Sequence, residues 1–244
     1  MADSQLAITS KILVEYICSG AAGRDRIINS LAFPEEFRTY LLWYEEYKSA
    51  LATYFSSQDF ESSFSALKQA LQSRPAQTEQ AEQKIQKSLH AIELTSKIEV
   101  FQLCPEAQFY LASPEVKFLE IEGLRVRVDA SNISQVARPD QNRVGLIYPY
   151  LKATKKLGDS ALAYHGVLLH WTAESALEKY GAADTSLCLV ADIFGGRTVK
   201  APSSYKKIRQ EIAANCREIV ERVNARLAAP VPAKKANPGN QIAS

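Results

Sequence analysis

The chain has no apolar run near the ~20 residues that a bilayer span requires. Near its start, Lys11 and Glu15 interrupt the one apolar stretch, and no small-residue cleavage site follows. The expectation is a cytoplasmic protein with no membrane segment. Its four cysteines, Cys18, Cys104, Cys188 and Cys216, form no C-x-x-C pair. Structural zinc sites draw their ligands from closely spaced pairs, because a short turn presents two thiolates to one ion. These cysteines therefore read as small buried hydrophobes. There is no G-x-x-x-x-G-K-[ST] phosphate loop, no G-x-G-x-x-G after a strand, no G-x-S-x-G elbow and no H-E-x-x-H. Of three histidines, His165 and His170 share a helix but lie five apart, so they point about 140° from each other. They do not form a metal pair, and with His90 they read as helix-face or core residues.

What is present is an ordinary globular composition over 244 residues, 46% hydrophobic and 23% charged, enough chain to bury a proper core. The net charge of +2 is uninformative, but from Arg197 onward ten Lys and Arg face only three Glu. A basic end of this kind suits phosphate, or is simply a solvated helix face and tail.

Helical spacing runs through residues 5–17, and Gly20 and Gly23 then break it. An aromatic-rich helix carries Phe37, Tyr40, Leu41, Tyr44, Tyr47, Leu51 and Phe55, and Asp59 caps a further helix. A long helix is expected from Thr78 to about Leu103, apolar along its later half. The pattern then changes to strands. VKFLEI and LRVRVD flank Glu122-Gly123 as a tight hairpin, and a loop with Arg138-Pro139-Asp140 follows. RVGLIYPYL reads as a buried strand that Pro149 ends or bulges. A helix from Gly158 to Gly181, the apolar strand LCLVADIF, a Gly195-Gly196 turn and a final helix from Pro202 complete the pattern. The expected class is mixed α/β. Residues 1–75 form a helical extension, 76–228 the α/β core, and 229–244 a disordered basic tail.

Helix, hairpin, strand, helix, two strands and a helix, over roughly residues 80–225, resemble the PD-(D/E)XK nuclease fold, especially its RecB-like exonuclease branch. The resemblance implies a restriction-endonuclease-like core. It places Glu93 as the helix acid, Asp129 as the acid ending the hairpin, with Asp140 of the literal Pro139-Asp140 competing for that role, and Lys152 as the catalytic lysine. Tyr164 stands where the helix tyrosine would. In such a site two acids hold Mg²⁺ or Mn²⁺ against a scissile phosphate, and the lysine supports developing charge. The implied metal ligands are Asp129 and Asp140. Lys155, Lys156, Arg197, Lys206, Lys207 and Arg209 would contact DNA or RNA. The sequence departs from the pattern at Tyr150, which stands where the second acid belongs, and at Ser160, where a glutamine is usual. The implied protein binds nucleic acid and is catalytically impaired, or is a metal-dependent phosphodiesterase if a displaced acid such as Asp192 completes the site. The rival expectation is a non-catalytic interaction protein whose aromatic N-terminal helices dock a protein partner or a second copy.

Overall fold

The structure is a computed structural model that describes residues 6–34, 44–154 and 156–228. Phe37, Tyr40, Leu41, Lys155 and the tail 229–244 lie outside the described residues. The class is mixed α/β, as expected. No helix among the described residues is long and apolar enough to cross a membrane.

The N-terminal segment opens with strand β1 (Ala7–Thr9) and helix α1 (Ser10–Ile17), where a single helix was expected. Thr9 makes the break, its side chain accepting from the Ile12 N–H and capping α1. Helix α2 (Ala21–Ala32) runs straight through Gly23, so the glycines do not end the helical region. Gly20 is only the N-cap, and Gly23 lies within the helix against Ser19, which its missing Cβ would meet at 2.9 Å. Helices α3 (Glu45–Ser57), α4 (Phe60–Ser73) and α5 (Glu79–Thr95) follow. The expected long helix is two, α5 and the single turn α6 (Val100–Leu103).

Nine strands make two sheets among the described residues. The larger has the order β2 (Gln108–Leu111), β5 (Asn132–Val136), β6 (Arg143–Tyr150), β8 (Leu189–Asp192) and β9 (Arg197–Lys200), with β7 (Ala182–Ala183) beside the start of β6. β5 and β6 are antiparallel, whereas β6 and β8 are parallel and joined through helix α7 (Asp159–Ala176). The predicted hairpin forms as β3 (Phe118–Ile121) and β4 (Leu124–Arg127), turning through Glu122 (φ 50°) and Gly123 (φ 77°). Two left-handed residues in succession are what a two-residue hairpin turn requires. The hairpin does not join the sheet of β6. It pairs instead with β1, parallel to β4, in a separate three-stranded sheet.

The place beside β6 is taken by β5, a segment the sequence presented as loop. Two of its three inward residues are polar, Asn132 and Ser134, both fully buried. Ser134 Oγ donates to the Leu187 carbonyl at 2.6 Å, and Asn132 Nδ2 donates to Ala52 O and Ser56 Oγ, each at 2.9 Å. Those bonds satisfy the Ser134 hydroxyl and the Asn132 amide N–H groups, while Asn132 Oδ1 is buried with no partner among the described residues.

Pro149 neither ends β6 nor bulges it. β5 stops opposite Ile147, so β6 beyond that point pairs only with β8. The Ile147 carbonyl accepts from Ser131 on the β5 side, while the Tyr150 carbonyl accepts from Ile193 on the β8 side. Alternation puts the missing Pro149 N–H on the β5 side, where no strand waits for it.

The sheet alternates between two cores. Val144, Leu146, Tyr148 and Tyr150 of β6 face α7, α1, α2, the last helix α8 (Tyr205–Ala228) and the small sheet. Ile147, Leu189, Ala191 and Ile193 face α3, α4 and α5. Tyr47, Leu51 and Phe55 of the aromatic helix are buried in this second core, and Tyr44 is partly buried against it. The residues expected as an extension thus contribute to both layers: β1, α1 and α2 on one side, α3 and α4 on the other.

Candidate functional site

Parallel strands leave a crevice at their carboxyl ends, where the chain departs to opposite sides of the sheet. Here β6 ends at Tyr150, β8 ends at Asp192, and α7 begins at Asp159 above them. Asp192 sets this geometry. It is fully buried and accepts from the Leu157 N–H at 2.9 Å and the Gly195 N–H at 3.0 Å. Gly195 must be glycine for this, since a Cβ there would lie 2.2 Å from an Asp192 oxygen. Arg197 completes the tie, donating to the Leu157 carbonyl and pairing with Asp159 at 2.8 Å. The turn before α7 is therefore held from both sides. The N-cap is Gly158, with no side-chain cap, so among the described residues the first N–H groups of this 18-residue helix stay open.

Helix α1 supplies the opposite wall. Lys11, Glu15 and Cys18 recur at spacings that share one helix face, and with Val14 they border a cavity of about 290 Å³. Tyr150, Lys152, Lys156 and the first turn of α7 border it from the other side, and His165 lies within. Three lysines meet two carboxylates here. Glu15 is 3.6 Å from Lys152 and 3.7 Å from Arg26, and Asp159 is held by Arg197. Lys11 forms no ion pair among the described residues. Its burial, then the neighbouring Lys152 charge, pull its pKa below the ordinary lysine value.

His165 is 2% exposed and makes no hydrogen bond among the described residues. Its ring packs on Tyr148 at 4.7 Å and Tyr150 at 6.0 Å between centroids. Burial first, and the Lys11 charge second, depress its pKa to about 3, so it is neutral at pH 7. Burial, then the Asp192 and Glu15 charges, push the Tyr150 hydroxyl up to about 12. The floor of the crevice is uncharged, and its mouth is basic.

The residues singled out from sequence scatter over the molecule. Lys152 and Lys156 are at the crevice, and Arg197 is just behind it. Asp129 follows β4 at its border, close enough for its charge to act on Lys11 and Tyr148, but it is paired with Arg127 at 2.8 Å. Asp140 sits before the other end of β6, 3.2 Å from Arg143. At a strand rise of about 3.3 Å per residue the two ends of β6 lie roughly 23 Å apart, with Asp140 before one and Asp129 near the other. Glu93 is exposed on α5, across the sheet, with His90 at 3.7 Å as its neighbour.

Lys206 and Lys207 are exposed at the start of α8. Arg209 is committed to the fold, pairing with Glu174 at 2.6 Å, bonding His170 at 2.9 Å and stacking on Tyr205 and Trp171. His170 is 11 positions after Asp159 in α7, so this cluster is about 16 Å along the helix from the crevice. Tyr164 is half-buried, its pKa raised by burial and by Glu211. Cys188 and Cys216 are buried, their thiols pushed up to about 12 by desolvation.

Two acids sharing Mg²⁺ or Mn²⁺ would need convergent oxygens at about 2.0–2.1 Å from the ion. Asp129 and Asp140 lie apart, Asp192 is engaged with backbone N–H groups, and Tyr150 replaces an acid. Among the described residues no group of three or more His, Cys, Asp or Glu side chains is arranged to hold a metal ion. The donor set does not fit the metal that the nuclease resemblance implied. Sequence reading missed Lys11, Glu15 and His165 as site residues. The signal for them was a Lys–Glu pair four apart on an otherwise apolar helix, and a histidine inside an apolar one.

No protein-family model matches this sequence, and no curated protein matches it.

Proposed function

We propose that this chain is a nucleic-acid-binding protein on a RecB-like, nuclease-type core, and that its phosphate-binding surface is the crevice at the carboxyl ends of β6 and β8. The observation that carries the reading is the convergence of Lys11, Lys152 and Lys156 on the open N-terminus of α7. Backbone N–H groups and the helix dipole favour an anion there, and the lysines add mobile positive charge. The order β2-β5-β6, the α7 crossover and parallel β8, preceded by α5, support the nuclease-type reading of the core. Hydrolysis is no part of the reading, because the donor set does not fit a hard cation. The four cysteines form no disulfide, which suits the reducing cytoplasm, where we place the protein.

The test is binding of labelled single- and double-stranded DNA and RNA as a function of salt. Affinity should fall linearly on a log–log plot, and Lys152→Ala and Lys156→Ala should each reduce the slope by about one. Adding Mg²⁺ or Mn²⁺ should give no cleavage, and Asp129→Ala should leave binding in place. Binding that is absent, or insensitive to salt and to both lysines, would overturn the reading.

A further inference from the structure

Three features of the crevice point to a more specific ligand than a passing phosphodiester backbone. The first is its size. At about 290 Å³ it lies just under the ~300–1,000 Å³ typical of small-molecule sites, the scale of a single nucleotide. The second is the pairing of the N-terminus of α7 with Lys11, a half-buried cation that forms no ion pair among the described residues, although the Glu15 and Asp129 charges act on it. The third is independent of the helix end: His165, 98% buried, borders the cavity with its ring nitrogens unbonded. A neutral imidazole carries one donor and one acceptor. No described residue bonds these nitrogens, and they are not sealed from the cavity, so a ligand there can reach them. A ligand that fills the site must bring a negative group to the mouth and a hydroxyl or base edge to the floor.

We infer that the crevice takes a phosphomonoester of a single nucleotide, its phosphate on the first turn of α7 among Lys11, Lys152 and Lys156, and its hydroxyl or base edge on His165. The inference rests on the nucleic-acid reading for its preferred source, the phosphorylated end of a strand, whereas a free nucleoside monophosphate offers the same chemistry. A terminal phosphate carries more charge and one more free oxygen than an internal phosphodiester, so it gains more from the helix end and the lysines. Glu15 and Asp159 also border the site, and their charges are held by Lys152 and Arg197 respectively.

The helix end allows a clean test. Gly158 is extended (φ −73°, ψ 164°), the conformation that a residue before proline prefers. Asp159→Pro is therefore compatible with the first position of the helix, and it removes one open N–H together with the carboxylate. Asp159→Asn removes the carboxylate and keeps the N–H. Electrostatics alone predicts that both variants bind an anion at least as well as the parent. Phosphate seated on the helix end predicts that Asp159→Pro binds about tenfold more weakly than Asp159→Asn, the loss of one hydrogen bond to a charged acceptor.

Fluorescence anisotropy would compare oligonucleotides bearing a 5′-phosphate, a 3′-phosphate or neither, with a nucleoside monophosphate and inorganic phosphate as competitors. Expected are at least tenfold tighter binding of one phosphorylated end, competition by the monophosphate, and the stated order of the two Asp159 variants. His165→Phe should weaken the monophosphate and leave inorganic phosphate unchanged. Equal affinity with and without an end phosphate, and no effect of Asp159→Pro relative to Asp159→Asn, would overturn the inference and leave the nucleic-acid reading standing. Binding of the monophosphate with no binding of any oligonucleotide would do the reverse. No binding of any probe would overturn both.

Discussion

Asp192 and Gly195 form one structural unit, and substituting both tests whether the crevice is built as described. Asp192→Asn keeps the shape of the side chain but presents an NH₂ group to one of two backbone donors, Leu157 N–H or Gly195 N–H. One charge-assisted bond is lost, and one buried N–H is left facing a donor. Hydrogen bonds to charged groups contribute about 1.5–3 kcal/mol, so the expected cost is about 2–3 kcal/mol. Gly195→Ala attacks the same carboxylate from outside. Its Cβ would lie 2.2 Å from Oδ2 and 2.5 Å from Cγ, so the carboxylate must swing away from at least one donor. A similar cost of about 2 kcal/mol follows. The double variant should lose about 1 kcal/mol or more less than the sum, because the second change damages a contact already lost. Urea denaturation of the four proteins measures this coupling. Additivity within about 0.5 kcal/mol, or single variants each within about 0.5 kcal/mol of the parent, would refute the account of Asp192 as the clamp on the α7 turn.

His165 makes acid stability a second test. Its folded pKa of about 3 lies below the unfolded value of 6.5, so the unfolded chain takes up a proton first. Its contribution is complete above about pH 6.5 and is lost as pH falls, at up to ~1.4 kcal/mol per unit. Between pH 7 and pH 5 His165→Phe should therefore lose about 2 kcal/mol less than the parent in urea titrations. Equal losses would show that the ring does not stay neutral in the fold. A third test concerns the packing of β6 on the turn before β8. Gly145→Ala would put a Cβ 2.3 Å from the Leu187 carbonyl oxygen and should cost about 1–3 kcal/mol by thermal melting; a change within about 0.5 kcal/mol would refute the close approach.

Where the chain's pattern carried both period and polarity, sequence and structure agree. The β3–β4 hairpin announces itself by alternation around Glu122-Gly123, and β6 and β8 by their apolar runs. β5 was illegible because two of its three inward positions are Asn132 and Ser134, whose burial is made possible by partners in α3 and at Leu187, which no local pattern reveals. β1 was hidden for another reason: three residues carry too little periodicity, and their pairing partner is β4. The candidate site was legible only at Lys152 and Lys156. Lys11 and His165 meet there because α1 packs on α7, a contact between segments about 150 positions apart. The search for acids spaced like a metal site drew attention to Asp140 and Glu93, which the sheet keeps at its far end and on its other face.

The pairing of β1 with β4 also bears on when the crevice comes into being. Ala7 is in register with Arg125, and the Tyr16 hydroxyl donates to Glu218 across 202 positions of sequence at 2.7 Å. A chain emerging from the ribosome would therefore hold its first helix without a seat until the hairpin had appeared, and without its last bond until α8 had followed. The wall that carries Lys11 is made first and docked among the last. An incomplete or partly opened chain would lack the wall that carries Lys11, so the crevice exists only once these distant segments have docked.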